Sequence, residues 1–221
     1  MERTIQLSAA DGFVLDAYRA DPAGRPKAGL VVIQEIFGVN RHVRGVADGF
    51  AKDGYAVVAP ALFDRAEKRV ELGYDQRAIE SGRALRAKVG WDDPLKDVAA
   101  AAAALGGTGK VGVVGYCWGG SVAWLSATRL QVACVVCYYG GQIAQLKHET
   151  PKAPVMMHFG EKDAAIPMSD VDAIRQAQPG VTIHTYPAGH GFNCEQRKDF
   201  HEESAALARR RTLEFFAKHI G

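Results

Sequence analysis

The chain has 221 residues, 48% hydrophobic and 24% charged, which is enough apolar material for one globular α/β domain spanning 1–221 that folds without staples. With 27 Lys+Arg against 25 Asp+Glu the formal charge is only +2, and outside Arg209, Arg210 and Arg211 the basic residues are dispersed, which argues against a nucleic-acid partner. No apolar run approaches the roughly 20 residues that span a bilayer, and the opening MERTIQLSAADG lacks the charged-then-apolar pattern of a signal peptide, so a cytoplasmic protein without membrane contact is expected.

In chain order, TIQLSAADGFVLDAYRA (4–20) alternates around Asp11-Gly12 and predicts an antiparallel hairpin at a sheet edge. LVVIQEIFG (30–38) and YAVVAPALF (55–63) are near-continuous apolar runs, which suit strands buried on both faces of a parallel sheet. Between them NRHVRGVADGFAKDG (40–54) has helical apolar spacing closed by Gly54. A short helix-rich insertion near 64–94 includes YDQRAIESGRALR (74–86). DPLKDVAAAAAALGG (93–107) then opens on an acidic, proline-bearing turn and stops at a glycine pair, as a helix should. Further buried runs are KVGVVGY (110–116), QVACVVCYYG (131–140), PVMMHFG (154–160) and VTIHTYP (181–187). Helical stretches follow at GSVAWLSATRL (120–130), MSDVDAIRQAQ (168–178) and EESAALARRRTLEFFAKHI (202–220). Strands alternating with helices predict a three-layer αβα sandwich on a mostly parallel sheet.

The six residues GYCWGG (115–120) carry the chemistry most visibly. Gly115 and Gly119 flank Cys117 at two residues on either side, between a strand and a helix. That is the context of a nucleophile elbow with cysteine in the serine slot. The helix starting at Trp118 aims its positive end at the sulfur and favours the thiolate, while the Trp118 N–H is placed to hold an oxyanion. The bland alternative is a buried structural thiol. A base and an orienting acid should follow in the order acid, histidine. Asp163 stands in the GEKD turn after one buried run, and His190 in the AGHGF loop after the next. Taken singly these are a turn residue and a loop histidine; together, at the carboxyl ends of successive strands, they make a Cys-His-Asp relay.

The other histidines, at 42, 148, 158, 184, 201 and 219, pair with no cysteine or carboxylate at metal spacing along the chain, so no metal and no cofactor is expected. Cys134 and Cys137 lie three apart on a strand, face opposite sides and read as core. Four cysteines in all are too few for a disulfide framework in a chain of this length, so reduced thiols are expected. Glu35, at the end of a buried strand, reads on sequence alone as a structural ion pair with Arg41 or Arg44.

Taken in order, QEIFGVN, GYCWGG, GEKD and AGHGF give almost the whole chain a resemblance to the dienelactone hydrolase (carboxymethylenebutenolidase) family of small α/β-hydrolases. The resemblance implies the α/β-hydrolase fold without a large lid, Cys117 as nucleophile, His190 as base and Asp163 as its orienter. It also implies that Glu35 contacts the resting thiol and helps activate it when substrate arrives. By position in that fold the second oxyanion N–H belongs to Ile36. The expected reaction is attack of thiolate on a small lactone or activated ester, a thioester, then hydrolysis by water that His190 activates. Degradation of aromatic compounds is the implied setting. Thiolate leaves readily, so enol lactones and aryl esters should be preferred to ordinary alkyl esters.

The family holds its substrate carboxylate with two arginines. One falls four residues after the histidine, where this chain has Cys194 and the nearest replacement is Arg197; the other comes from the helix offering Arg77 and Arg83. Phe37, Trp91 and Phe192 are candidates to line the pocket, each with core packing as its plainer reading. Alternatives are a promiscuous carboxylesterase, a hydrolase of other activated esters including phosphoesters, and a non-enzymatic thiol redox sensor on a hydrolase scaffold. The protein is expected to be a monomer or weak dimer.

Overall fold

The computed structural model describes residues 3–221; residues 1 and 2 of the opening segment lie outside the described residues. Eight strands form one sheet: β1 (Thr4–Ser8), β2 (Val14–Ala20), β3 (Gly29–Ile33), β4 (Ala56–Pro60), β5 (Val111–Tyr116), β6 (Cys134–Tyr138), β7 (Val155–Gly160) and β8 (Thr182–Tyr186). Their spatial order is β1-β2-β4-β3-β5-β6-β7-β8. The hairpin β1–β2 joins β4 antiparallel at one edge, and every pairing from β4 to β8 is parallel. In β3, β4, β6 and β7 every residue is buried, as the apolar runs require. β8 departs from that reading. It is the far edge strand, and Thr182–Thr185 remain exposed or half-buried because no strand covers their outer side.

Helices α1 (Arg41–Lys52), α2 (Gln76–Val89), α3 (Asp92–Ala104), α4 (Trp118–Arg129), a single turn α5 (Ile143–Leu146), α6 (Met168–Ala177) and α7 (Glu202–His219) cover the two faces. α1 and α7 share one face, where Phe50 and Phe216 meet edge-on at 5.9 Å and Arg209 pairs with Asp53. α3, α4 and α5 pack in sequence on the other. α4 is buried from Trp118 to Thr128, so its apolar residues surround the helix instead of forming a stripe. This is the three-layer sandwich expected, and the segment 64–94, entered through a short 3-10 turn at Leu62–Arg65, contributes α2 in place of a large lid.

The strand order reverses beside β3: β4 lies on one side and β5, the next strand in the chain, on the other. In open α/β sheets the crevice at the carboxyl ends of the strands flanking such a reversal is where ligands bind. The segments leaving β3 and β5 are QEIFG and the Cys117 turn.

Candidate functional site

Cys117 follows β5 and caps α4 with φ 55° and ψ −120°, a backbone region that costs a side-chain-bearing residue about 1–3 kcal/mol. Its N–H donates to the Tyr138 carbonyl (3.0 Å), and its own carbonyl accepts from Gly120 (2.9 Å), so strand and helix hold the turn from both sides. The flanking glycines answer to close approach. A Cβ on Gly115 would run into the Gly119 carbonyl, and one on Gly119 would strike the Gln34 carbonyl and lie 2.7 Å from that of Ile33.

The His190 Nδ1–H donates to Asp163 Oδ2 at 2.7 Å, and His190 Nε2 lies 3.1 Å from Cys117 Sγ. The Asp163 side chain is fully buried, and its Oδ1 accepts from the backbone N–H groups of Ala165 (2.8 Å) and Ile166 (3.2 Å). The acid is thereby fixed in one orientation by the turn that carries it. Burial opposes charging of His190, but the sulfur charge of Cys117 and the bond to Asp163 outweigh it and raise the imidazole to about 10. The charged imidazolium is the form of His190 that this environment favours. Tyr139 presents its ring edge-on to His190, with centroids 5.2 Å apart.

A cavity of about 360 Å³ opens over the sulfur. Cys117, Trp118, His190, Ile36, Phe37, Arg83 and Arg197, all singled out from sequence, line it. As first residue of α4, Trp118 has an N–H without a helical acceptor, and the Ile36 N–H donates to no backbone carbonyl among the described residues. α2 reaches the Ile36 loop because Gly82 carries no side chain; a Cβ there would overlap the Ile36 carbonyl.

Three expected pocket residues lie elsewhere. Arg77 is exposed and points off a different side of α2, because Ile79, Arg83 and Arg86 share the cavity-facing stripe at helical spacing and residue 77 does not. Trp91 stands at the head of α3, partly buried against the core and away from the cavity. Phe192 is wholly buried, packed on Tyr138, Tyr139 and Tyr186 with centroids 6.3, 5.5 and 5.1 Å away. Arg86, Lys162 and Lys198 line the cavity without having been singled out. Arg86 carried a readable signal, standing three residues beyond Arg83 on the same helix; the two lysines lie on loops whose course has no sequence pattern.

Glu35 is 1% exposed, and Oε1 accepts from Arg197 Nη1 at 3.1 Å. That replaces the pairing with Arg41 or Arg44: Arg44 instead pairs with Glu71 at 2.6 Å, because Gly38 turns the chain back onto Val70 and Glu71. The thiol contact expected of Glu35 is likewise not among its hydrogen bonds, since the sulfur faces His190. Oε2 is buried without a partner. The histidine reading needs one correction. Spacing along the chain separates His42 from every cysteine and carboxylate, but folding brings its ring, Glu35 and Cys194 together, with one ligand atom of each within 4.8 Å of the others.

The family model of the dienelactone hydrolase family matches residues 15–220. A Synechocystis protein with the provisional name carboxymethylenebutenolidase is 35% identical over 211 residues, covering 86% of each chain. An Azospirillum brasilense protein with the same provisional name is 35% identical over 231 residues, 98% of this chain and 99% of its own. The crystal structure of a provisionally assigned dienelactone hydrolase from Klebsiella pneumoniae superposes with a TM-score of 0.87 at 30% identity, covering 98% of both chains. A dienelactone hydrolase-like promiscuous phosphotriesterase from metagenomic libraries shares the fold at 19% identity and TM-score 0.79, over 99% of this chain and 98% of that one. Fold, site and relatives converge: the chain belongs to the dienelactone hydrolase family and is a hydrolase with the α/β-hydrolase fold.

Proposed function

We propose that the protein hydrolyses small lactones or activated esters through a cysteine nucleophile and a thioester intermediate. The observation that carries this reading is the continuous relay from Asp163 through His190 to Cys117, opening into a cavity of about 360 Å³. Cys117 Sγ attacks the carbonyl carbon, and the oxyanion is held by the N–H groups of Ile36 and Trp118. As the carbon–oxygen bond breaks, the leaving alkoxide or enolate takes the proton from the His190 imidazolium. Water then gives its proton to His190 and attacks the thioester; the carbon–sulfur bond breaks and the thiolate returns.

The cavity's size supports small substrates, and its lining supports anionic ones: Arg83, Arg86, Lys162, Arg197 and Lys198 face only one acid, Asp199. Arg83 and Arg86 are the groups to hold a substrate carboxylate, and Phe37 the apolar wall beside it. Glu35 acts through Arg197: a substrate anion that draws Arg197 away leaves Glu35 free to assist the thiol. The four cysteines all stand free.

Parallel hydrolysis of p-nitrophenyl acetate and a dienelactone by wild type and Cys117→Ser tests the reading. Dienelactone turnover that collapses in the variant supports nucleophile and substrate class together. Acetate turnover alone keeps the nucleophile and moves the native substrate to another ester, and turnover unchanged in Cys117→Ser overturns the mechanism.

A further inference from the structure

Two of the four buried polar side-chain atoms left without a hydrogen-bond partner among the described residues belong to neighbouring groups, Glu35 Oε2 and His42 Nε2. Buried polar atoms are nearly always paired, so two orphans on residues that meet in one cluster ask what they are meant to hold. Cys194 completes the cluster, with one ligand atom of each of the three residues within 4.8 Å of the others. A carboxylate oxygen, an imidazole nitrogen and a thiol are a mixed O, N, S donor set, the combination that zinc accepts and that calcium and magnesium do not.

We propose that Glu35, His42 and Cys194 form a binding site for a divalent d-block cation, matched best to zinc, behind the Cys117 cavity. Tetrahedral coordination at about 2.0–2.3 Å sets ligand atoms roughly 3.3–3.8 Å apart, so the present triangle closes by side-chain movement of no more than about 1.5 Å. A supporting contact is already in place. Arg197 occupies Glu35 Oε1 and leaves Oε2 to bind through one oxygen. A cysteine binds zinc as the thiolate. Coordination therefore exchanges the S–H bond for an S–metal bond and releases one proton to solvent, with no change of oxidation state.

Entry is offered by a cavity that Cys117 does not line. That cavity, of about 670 Å³, reaches the His42 ring, and its lining sets Glu195 and Glu202 beside Arg41 and Arg209. This site does not depend on the proposed hydrolytic mechanism, because none of its ligands is part of the Cys117–His190–Asp163 relay. It shares Glu35 with that mechanism, so an occupied site would hold the carboxylate away from the thiol.

The test is titration of the metal-free Cys117→Ser protein with Zn2+ by calorimetry and with Co2+ by absorbance, which removes the competing thiol. One equivalent bound, with a thiolate-to-cobalt charge-transfer band and one proton released per metal, is expected. Adding Cys194→Ser should abolish the band and weaken Zn2+ binding by at least about 100-fold. If that double variant fails to fold, His42→Gln in the same background should weaken binding by a similar factor while the sulfur band shifts. No binding up to millimolar Zn2+, or binding untouched by both substitutions, overturns the proposal and assigns the two orphan atoms to an ordered water.

Discussion

Asp163→Asn is the substitution whose outcome the geometry constrains most closely. Oδ1 of Asp163 accepts two backbone N–H groups, from Ala165 and Ile166. An amide placed there must keep its oxygen toward those donors, since turning its NH2 on them would set donor against donor in a fully buried place. The NH2 then faces His190 Nδ1, which must accept, and the ring proton is forced onto Nε2 beside the sulfur. That tautomer cannot take a proton from the thiol. Loss of a hydrogen bond to a charged partner is worth about 1.5–3 kcal/mol, and the wrong tautomer in serine enzymes lowers rates about 10⁴-fold. Cysteine depends less on its base than serine does, so we expect kcat/KM for p-nitrophenyl acetate to fall about 10²–10³-fold, or ~2.7–4.1 kcal/mol. Thiol alkylation near neutral pH should slow in parallel, with the melting temperature checked in the same samples. A loss below about tenfold in a folded protein would refute the reasoning that the acid sets the tautomer.

Other consequences are open to measurement. With His190 raised to about 10, the imidazolium survives until that pH and is lost above it, so kcat/KM should show an alkaline limb near pH 10; in Asp163→Asn the limb should move toward neutrality. Gly119→Ala places a methyl 2.7 Å from the Ile33 carbonyl and against that of Gln34, and should cost about 1–3 kcal/mol, lowering Tm by about 2–10 °C; Gly73→Ala, with open space around it, should leave Tm unchanged. Arg83→Ala and Arg86→Ala should each raise KM for an ester bearing a carboxylate about tenfold and leave neutral p-nitrophenyl acetate nearly unaffected, as steady-state kinetics on the two substrates would reveal.

Most of the fold was legible because its signals are local. Apolar runs such as VVGY and CVVCY suit interior strands, while the Gly54 stop and the proline-bearing turn at Asp93-Pro94 mark helix ends. The elbow was legible because Gly115 and Gly119 are forced by contacts within a few residues or with the adjacent strand. What escaped the sequence depends on distances the chain sets only after folding. Phe192 and Phe37 have the same chemistry, and whether such a ring lines a cavity or fills a core is decided by packing against Tyr138, Tyr139 and Tyr186. Glu35 finds Arg197, 162 positions away, while the nearer Arg44 is taken by Glu71. His42 and Cys194 are separated by a comparable stretch of chain, so no spacing rule links them; only the arrival of α1 and the loop after β8 at the same end of the sheet does.

The central claim is a covalent acyl group on Cys117 during turnover. Rapid acid quench of the protein with excess p-nitrophenyl acetate, followed by intact-mass and peptide analysis, reads it directly. We expect one acetyl group, carried by the peptide containing Cys117, sensitive to hydroxylamine and missing from Cys117→Ala along with turnover. Steady hydrolysis by Cys117→Ala, or an acyl group on another residue at the rate of turnover, would contradict the account.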